Sequence, residues 1–374
     1  LSGKHLHIVS FDVPYPPDYG GVIDVFFKIK ALHAEGVSIH LHCFEYGRAE
    51  ARELESLCEK VYYYKRDMSK FLLAGSLPYI VSTRHSERLM DHLLRDSCPI
   101  LFEGLHSSFH LKDVRLKDRL TLVRSHNIEH DYYSNLASVE KKFLRRLYFK
   151  RESAKLRQFE SVFNKARFVM AISTADEKEL KTRYSNVLYV PAFHPNDKVL
   201  IRPGIGKFVL YHGNLEVGEN NEAALYLVNT VFAGSTIPLV IAGKNPTAEL
   251  RMAVEKHPFV QLKANIPTLE IDELIREAQV NILPTFQNTG IKLKLLAALY
   301  NGRHCIVNTP MVLNTGLEVL CSIQDTAASL RSETERLFKI PFDASEAEKR
   351  AAVLYSAFSN KQGAGTIKSL IQTA

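Results

Sequence analysis

The strongest chemical signal in the sequence is the stretch PTFQNTGIKLKLLAA (284–298). An apolar run ends, a polar loop with Asn288, Thr289 and Gly290 follows, and a helical period opens with Ile291 and Lys292. Free N–H groups around Gly290 and Ile291, the positive end of the helix dipole and one ammonium would cradle a diphosphate without a metal. The plainer alternative is a solvated lysine on an ordinary helix. An ammonium pinned in an internal ion pair would take the charge out of the cradle and with it the ground for reading an enzyme. No Walker-type phosphate loop occurs, which argues against nucleotide hydrolysis.

Three other segments carry residues suited to chemistry. In PPDYGG (16–21), Gly20 and Gly21 would let backbone amides approach a phosphate or sugar, although a tight turn needs the same residues. SHNIEH (125–130) is formally H-x-x-E-H. Zinc-protease chemistry would require His126 and His130 on one face of a helix, with a third ligand elsewhere. With His126 at a strand end, the expected arrangement is instead a polar loop presenting His126, Asn127 and Glu129 to a cleft. A satisfied loop histidine is the bland alternative. In YHGNL (211–215), Gly213 permits close approach and Asn214 offers both a donor and an acceptor. Gly204-x-Gly206 precedes its strand and so is no dinucleotide fingerprint.

The elements that must position these residues alternate strand-like apolar runs with helical periods, the pattern of parallel α/β sheets. Strands are expected at 5–13, 37–44, 61–64, 100–102, 121–124, 168–172 and 187–190, with a loop at 14–21 and a helix at 22–34. A long helix is expected over 138–166, with Phe143, Leu147, Leu156 and Phe159 among its apolar positions. The Pro- and Gly-rich stretch 191–207 lacks periodicity and reads as a linker. Strand and helix then alternate again from 208, giving two doubly wound Rossmann-like domains. In such sheets ligands bind at the C-terminal strand edges, where all four segments fall.

Composition sets the outer bounds. The 374 residues are 46% hydrophobic and 24% charged, which excludes disordered and collagen-like classes. Cys43, Cys58, Cys98, Cys305 and Cys321 are odd in number and lack metal spacing, so reduced thiols in a cytoplasmic protein are expected. No leader or membrane-spanning run is read. The net charge of +7 is uneven: residues 1–200 carry 31 basic and 25 acidic side chains, and 201–374 carry 17 and 16. Within 138–167 ten basic residues face only Glu140, Glu152 and Glu160, a local basic face.

Taken together, these segments resemble the GT-B fold glycosyltransferases, in particular the family-4-like retaining group, over nearly the whole chain. The likeness rests on Gly20-Gly21, on RSHNIEHDYY (124–133), on AIS (171–173), and on His-Gly213-Asn214. IAGK, ending at Gly243-Lys244, and above all Thr289-Gly290-Ile291-Lys292-Leu-Lys294 complete it. The resemblance implies a hexosyltransferase-type enzyme of two Rossmann-like domains facing a central cleft. An acceptor-binding domain over 1–195 and a linker at 196–207 would be followed by a nucleotide-sugar domain over 208–345. A C-terminal helix at about 346–374 would pack back on the first domain. A nucleotide-diphosphate sugar serves as co-substrate, with no metal and no resident cofactor. Gly20, Gly21, Gly213, Asn214, Lys244, Asn288, Thr289, Gly290, Ile291 and Lys292 are then donor-binding, and Asn127 and Glu129 lie on the acceptor side. His126 would face the reacting sugar, and Lys292 the developing leaving-group charge.

The resemblance has one departure. Such enzymes carry two glutamates eight positions apart around this helix start, where this chain has Thr289 and Ala297. Relatives with the G-I-K variant often lack the first. Ala297 has no group to accept a ribose hydroxyl, so ribose is held differently, or the donor binds weakly, or catalysis is lost. Two function classes follow: an active transferase building a surface glycan, and a catalytically silent nucleotide-sugar-binding or scaffold protein. The basic segment 138–166 suits peripheral contact with anionic lipid at the inner face of the membrane, a lipid-linked acceptor fitting that placement; a solvated helix face is the alternative. Nucleic acid is disfavoured, because no reading module or aromatic stacking pattern accompanies the cations.

Overall fold

The computed structural model describes residues 5–286 and 292–372, so Asn288, Thr289, Gly290 and Ile291 lie outside the described residues. The chain divides into two units, Leu1–Pro195 with Phe358–Ala374, and Asn196–Ala357. In the first, seven strands lie in the order β3-β2-β1-β4-β5-β6-β7. They are β1 (His5–Ser10), β2 (Ser38–Glu45), β3 (Lys60–Lys65), β4 (Ile100–Glu103), β5 (Thr121–Ser125), β6 (Phe168–Ala171) and β7 (Val187–Tyr189). All pairs are parallel. Both faces are covered, as a parallel sheet requires. Leu6, Ile8, Ile39 and Leu41 belong to one apolar cluster. Val9, Phe44, Phe102 and Val123 belong to the other.

The second unit repeats the scheme with six parallel strands in the order β10-β9-β8-β11-β12-β13. They are β8 (Val209–His212), β9 (Leu239–Gly243), β10 (Val260–Ala264), β11 (Val280–Leu283), β12 (His304–Val307) and β13 (Ser322–Ile323). Strand order reverses between β1 and β4 in one sheet and between β8 and β11 in the other. These are the topological switch points at which α/β sheets open a ligand crevice.

Three local expectations change. The first helix runs Gly20–Ala34, so Gly20 and Gly21 form its first turn and are not the end of a loop. The expected helix at 138–166 begins instead on the last residues of a helix Glu129–Val139, breaks, and resumes as Phe143–Phe159, followed by a 3-10 stretch Glu160–Lys165. Glu140 is extended at the break, and its carboxylate accepts from the Lys142 amide at 2.8 Å. Of the four apolar positions assigned to that helix, Leu156 and Phe159 are buried, but Phe143 and Leu147 are 76% and 55% exposed.

The stretch at 196–207 is held along the second unit. Leu200 N–H donates to Tyr300 O (2.8 Å), Gly204 pairs with Phe342, and Gly206 N–H donates to Gln279 Oε1 (2.6 Å). Gly204 has φ +101°, a conformation that favours glycine, and a Cβ at Gly206 would stand 2.4 Å from the Gln279 nitrogen. The helical C-terminus breaks at Phe358–Ser359. Helix Ala344–Ala357 belongs to the second unit, and helix Asn360–Gln372 packs on helix Gly20–Ala34 in the first.

Candidate functional site

In the first unit β1, β4 and β5 lie side by side, and Glu103 of β4 and Arg124 of β5 bond side chains of helix Gly20–Ala34. Asp24 and Lys28 lie one turn apart on the buried side of that helix. Lys28 Nζ donates to Asp24 at 2.9 Å and to both oxygens of Glu103, the last residue of β4, at 2.7 and 2.8 Å. Arg124, in β5, donates to both oxygens of Asp24 at 2.9 and 3.2 Å. All four side chains are fully buried. Burial pushes the Asp24 carboxyl up, but Arg124 and Lys28 overcome it and hold the group well below the carboxylate range. Burial opposes ionisation at Glu103 in the same way, and Lys28 with His126 prevails. Two anions against two cations make the cluster formally neutral, which is what allows it to be buried.

His126 hangs from this cluster. Its Nε2 is 3.0 Å from Glu103 Oε2, its Nδ1 is 3.8 Å from Asp24, and the ring meets Phe11 edge-on. Asp24, Glu103 and His126 converge closely enough to hold a cation, but the Lys28 ammonium already bonds both carboxylates. His130 turns to another partner, Glu160, at 3.1 Å, so His126 and His130 do not share a zinc-type site. Glu129, the first residue of its helix, is 3% exposed. Burial pushes its carboxyl up to about 8, against a hydrogen bond from Asn127. Glu129 Oε1 and His106 Nδ1 are buried without partners, 3.8 Å apart. Gly21 packs on Phe11, where a Cβ would come within 2.7 Å of the ring, whereas Gly20 is open. Among the glycine pair, then, packing demands only Gly21.

In the second unit, β8 ends at His212 and leads through Gly213 and Asn214 into helix Gly218–Tyr226. The oxygens of Asn214 are engaged locally: Oδ1 accepts from the Glu216 amide (3.2 Å) and the backbone carbonyl from Asn220 Nδ2 (2.9 Å). Gly243, ending β9, is sterically required, because a Cβ there would lie 1.8 Å from Gly213 O. Lys244 follows it, exposed. Lys292 precedes helix Leu293–Asn301, and its ammonium lies 3.4–3.5 Å from the Glu219 carboxylate. The pair is long and reaches solvent, the side chains being 19% and 10% exposed. The lysine therefore has an internal partner with which any diphosphate must compete.

Lys294 lies deeper. It donates to Asn220 Oδ1 at 2.8 Å and sits over the Tyr211 ring, and burial, offset by Glu219, brings its ammonium down to about 8. Beside it, His212 Nε2 is buried without a partner, and burial together with Lys294 lowers the imidazole to about 3. Two cations, one carboxylate, one amide and one unpartnered imidazole nitrogen thus stand by the β8–β11 reversal.

Known structures share this architecture. Sucrose-phosphate synthase from Thermosynechococcus elongatus is 15% identical, with 99% of this chain and 98% of that one covered and a TM-score of 0.72. Staphylococcus aureus TarM, solved with UDP and α-GlcNAc-glycerol, is 10% identical over 98% and 99% of the two chains, with a TM-score of 0.68. Anabaena HepE, solved with UDP and glucose, is 11% identical over 99% and 100%, with a TM-score of 0.66. The fold is that of the GT-B glycosyltransferases. At these identities the likeness is one of fold. A Klebsiella pneumoniae protein described as an "Uncharacterized 44.6 kDa protein in cps region" is 28% identical over 323 residues, 79% of this chain and 80% of that protein. No protein-family model matches.

Several site residues of this GT-B chain escape sequence reading. Glu219, Asn220 and His106 carry no spacing that marks them. Asp24 and Lys28 stand four apart on a helix, the spacing of an ordinary surface pair. A readable signal was present at Glu103 and Arg124, charged residues inside strands buried on both faces.

Proposed function

We propose that the protein transfers a sugar from a nucleotide-diphosphate donor to a saccharide or lipid-linked acceptor in surface glycan synthesis. The observation that carries this is the pair Lys292 and Lys294 beside the β8–β11 reversal, with His212 Nε2 unpartnered next to them. The lysines and the start of helix Leu293–Asn301 supply positive charge for a diphosphate, so leaving-group charge is stabilised by fixed cations, without metal or cofactor. Gly213, Asn214 and Lys244, with Asn288, Thr289, Gly290 and Ile291, complete the donor side. His126, held by Glu103, faces the reacting sugar, with Gly20, Gly21, Asn127 and Glu129 around it. Retention, the family-4-like grouping and hexosyl transfer follow from the resemblance. The word "cps" in the relative's name supports polysaccharide synthesis, and the UDP in two of the structures makes UDP the first probe.

The place of work is the cytoplasm, at the inner face of the membrane. Among the described residues no helix is long and apolar enough to cross a membrane. Val139, Phe143, Leu144 and Leu147 are 66%, 76%, 78% and 55% exposed beside Lys141, Lys142, Arg145 and Arg146. That combination suits an anionic lipid surface, at about 1 kcal/mol for each cation near it. The second reading, a silent nucleotide-sugar-binding scaffold, draws on Ala297, which packs partly buried against the core of the second unit and offers ribose no side-chain acceptor.

Titration with UDP tests the donor site. Lys292→Ala should weaken UDP binding at least tenfold, and Glu219→Gln, which removes the competing carboxylate, should tighten it. Unchanged affinity in Lys292→Ala takes that lysine out of the site. Slow hydrolysis of a UDP-sugar separates the two readings, since a scaffold binds without turnover. His126→Ala should spare UDP binding and lower that turnover.

A further inference from the structure

Two neighbouring strands of the first sheet each carry a His-Leu-His triplet, His5-Leu6-His7 in β1 and His40-Leu41-His42 in β2. Side chains alternate along a strand, and the register pairs His7 with His40, so all four imidazoles share one face. The inner pair is accounted for. His7 Nδ1 bonds His42 Nε2 at 2.8 Å, His7 Nε2 bonds Asp96, and His42 Nδ1 bonds the Tyr64 hydroxyl at 2.8 Å. The outer pair meets a carboxylate. His5 Nδ1, His40 Nε2 and Glu59 Oε2 form a triangle with sides of 3.3, 3.3 and 3.8 Å. The Glu59 amide donates to Ile39 O at 2.8 Å, which fixes that carboxylate next to His40. No lysine or arginine among the described residues pairs with it.

We propose that His5, His40 and Glu59 bind a divalent transition cation of the zinc type, with water as the fourth ligand. A tetrahedral zinc ion with bonds of ~2.0–2.2 Å holds its ligand atoms ~3.3–3.6 Å apart, which matches the two edges at His5, and the 3.8 Å edge between His40 and Glu59 would have to close by a few tenths of an ångström. Protons serve it less well. A single His5 N–H would be split between two acceptors at 3.3 Å each, leaving lone pairs facing across the third edge. A cation at the centre satisfies all three edges at once. The cluster is also reachable, the side chains of His5, His40 and Glu59 being 25%, 13% and 45% exposed. It ties the starts of β1 and β3 to β2, at the strand ends opposite the candidate crevice. The ion would be a structural clip, independent of the proposed transfer reaction.

The test uses untagged, chelator-stripped full-length protein titrated with zinc chloride by calorimetry. One equivalent should bind, and melting should shift upward. Glu59→Gln, at a partly exposed position that folding tolerates, and His40→Ala should each weaken binding at least tenfold. Cys98→Ser should leave binding unchanged, which separates this site from the neighbouring His7–Asp96–Cys98 group. Absence of zinc binding, full affinity in Glu59→Gln, or loss of binding in Cys98→Ser would each overturn the proposal.

Discussion

Glu129 is nearly inaccessible, one of its carboxylate oxygens has no partner, and burial lifts its carboxyl to about 8. In the unfolded chain the same group titrates near ~4.3. Between those values the folded state keeps a proton that the unfolded state has released. Stability therefore falls as pH rises across that window, by up to ~1.4 kcal/mol per pH unit. Glu129→Gln should flatten this slope, so melting temperatures measured at pH 5.5 and 8.5 should differ less than in the parent. Equal differences would show that Glu129 is ionised in the fold. Gly243 makes a steric point at the same scale. Its missing Cβ leaves room for Gly213 O at a distance no side chain allows. Gly243→Ala should cost on the order of 3 kcal/mol in denaturant titration, because the obstacle is backbone and cannot rotate away.

The helix Phe143–Phe159 carries its meaning as an element. Its second half buries Leu156 and Phe159, and Lys155 is spent on Glu152 at 2.9 Å. Its first half lays apolar and cationic side chains together on the outside. Replacing Phe143, Leu144 and Leu147 by Glu should leave denaturant stability within about 0.5 kcal/mol per site, since none contributes to the core. The same variant should lose sedimentation with phosphatidylglycerol vesicles. A large drop in stability would mean these side chains pack in the folded protein, and retained vesicle binding would move the contact elsewhere.

For the whole molecule, the chain's return to its first unit matters most. Helix Asn360–Gln372 buries Ile367 and Ile371, and a Cβ on its Gly363 would come within 2.9 Å of Phe193. Ending the chain at Ala357 should destabilise the first unit by roughly 3–6 kcal/mol from those two isoleucines alone. Limited proteolysis should show cuts within 5–195 before cuts within 196–357. Equal protection would mean that the helix is dispensable.

Alternating apolar runs and helical periods were enough to place the strands of the first sheet and the strand ends that lead to His126 and Gly213, because hydrophobic periodicity is a local property of the chain; the two-residue edge strand Ser322–Ile323 is too short to leave such a period. The sequence also determined that 138–167 is strongly basic. Tertiary structure alone decided which charges are free. Lys28 and Arg124 are consumed by Asp24 and Glu103, Lys292 meets Glu219 across 73 positions, and Phe143 and Leu147 face outward on a helix whose later apolar residues face in. Except for Asp24 and Lys28, one helical turn apart, these partners are too distant in sequence to leave a spacing to read. Burial, which sets the proton affinity of Glu129 and Lys294, depends on the atoms of elements that only folding brings together.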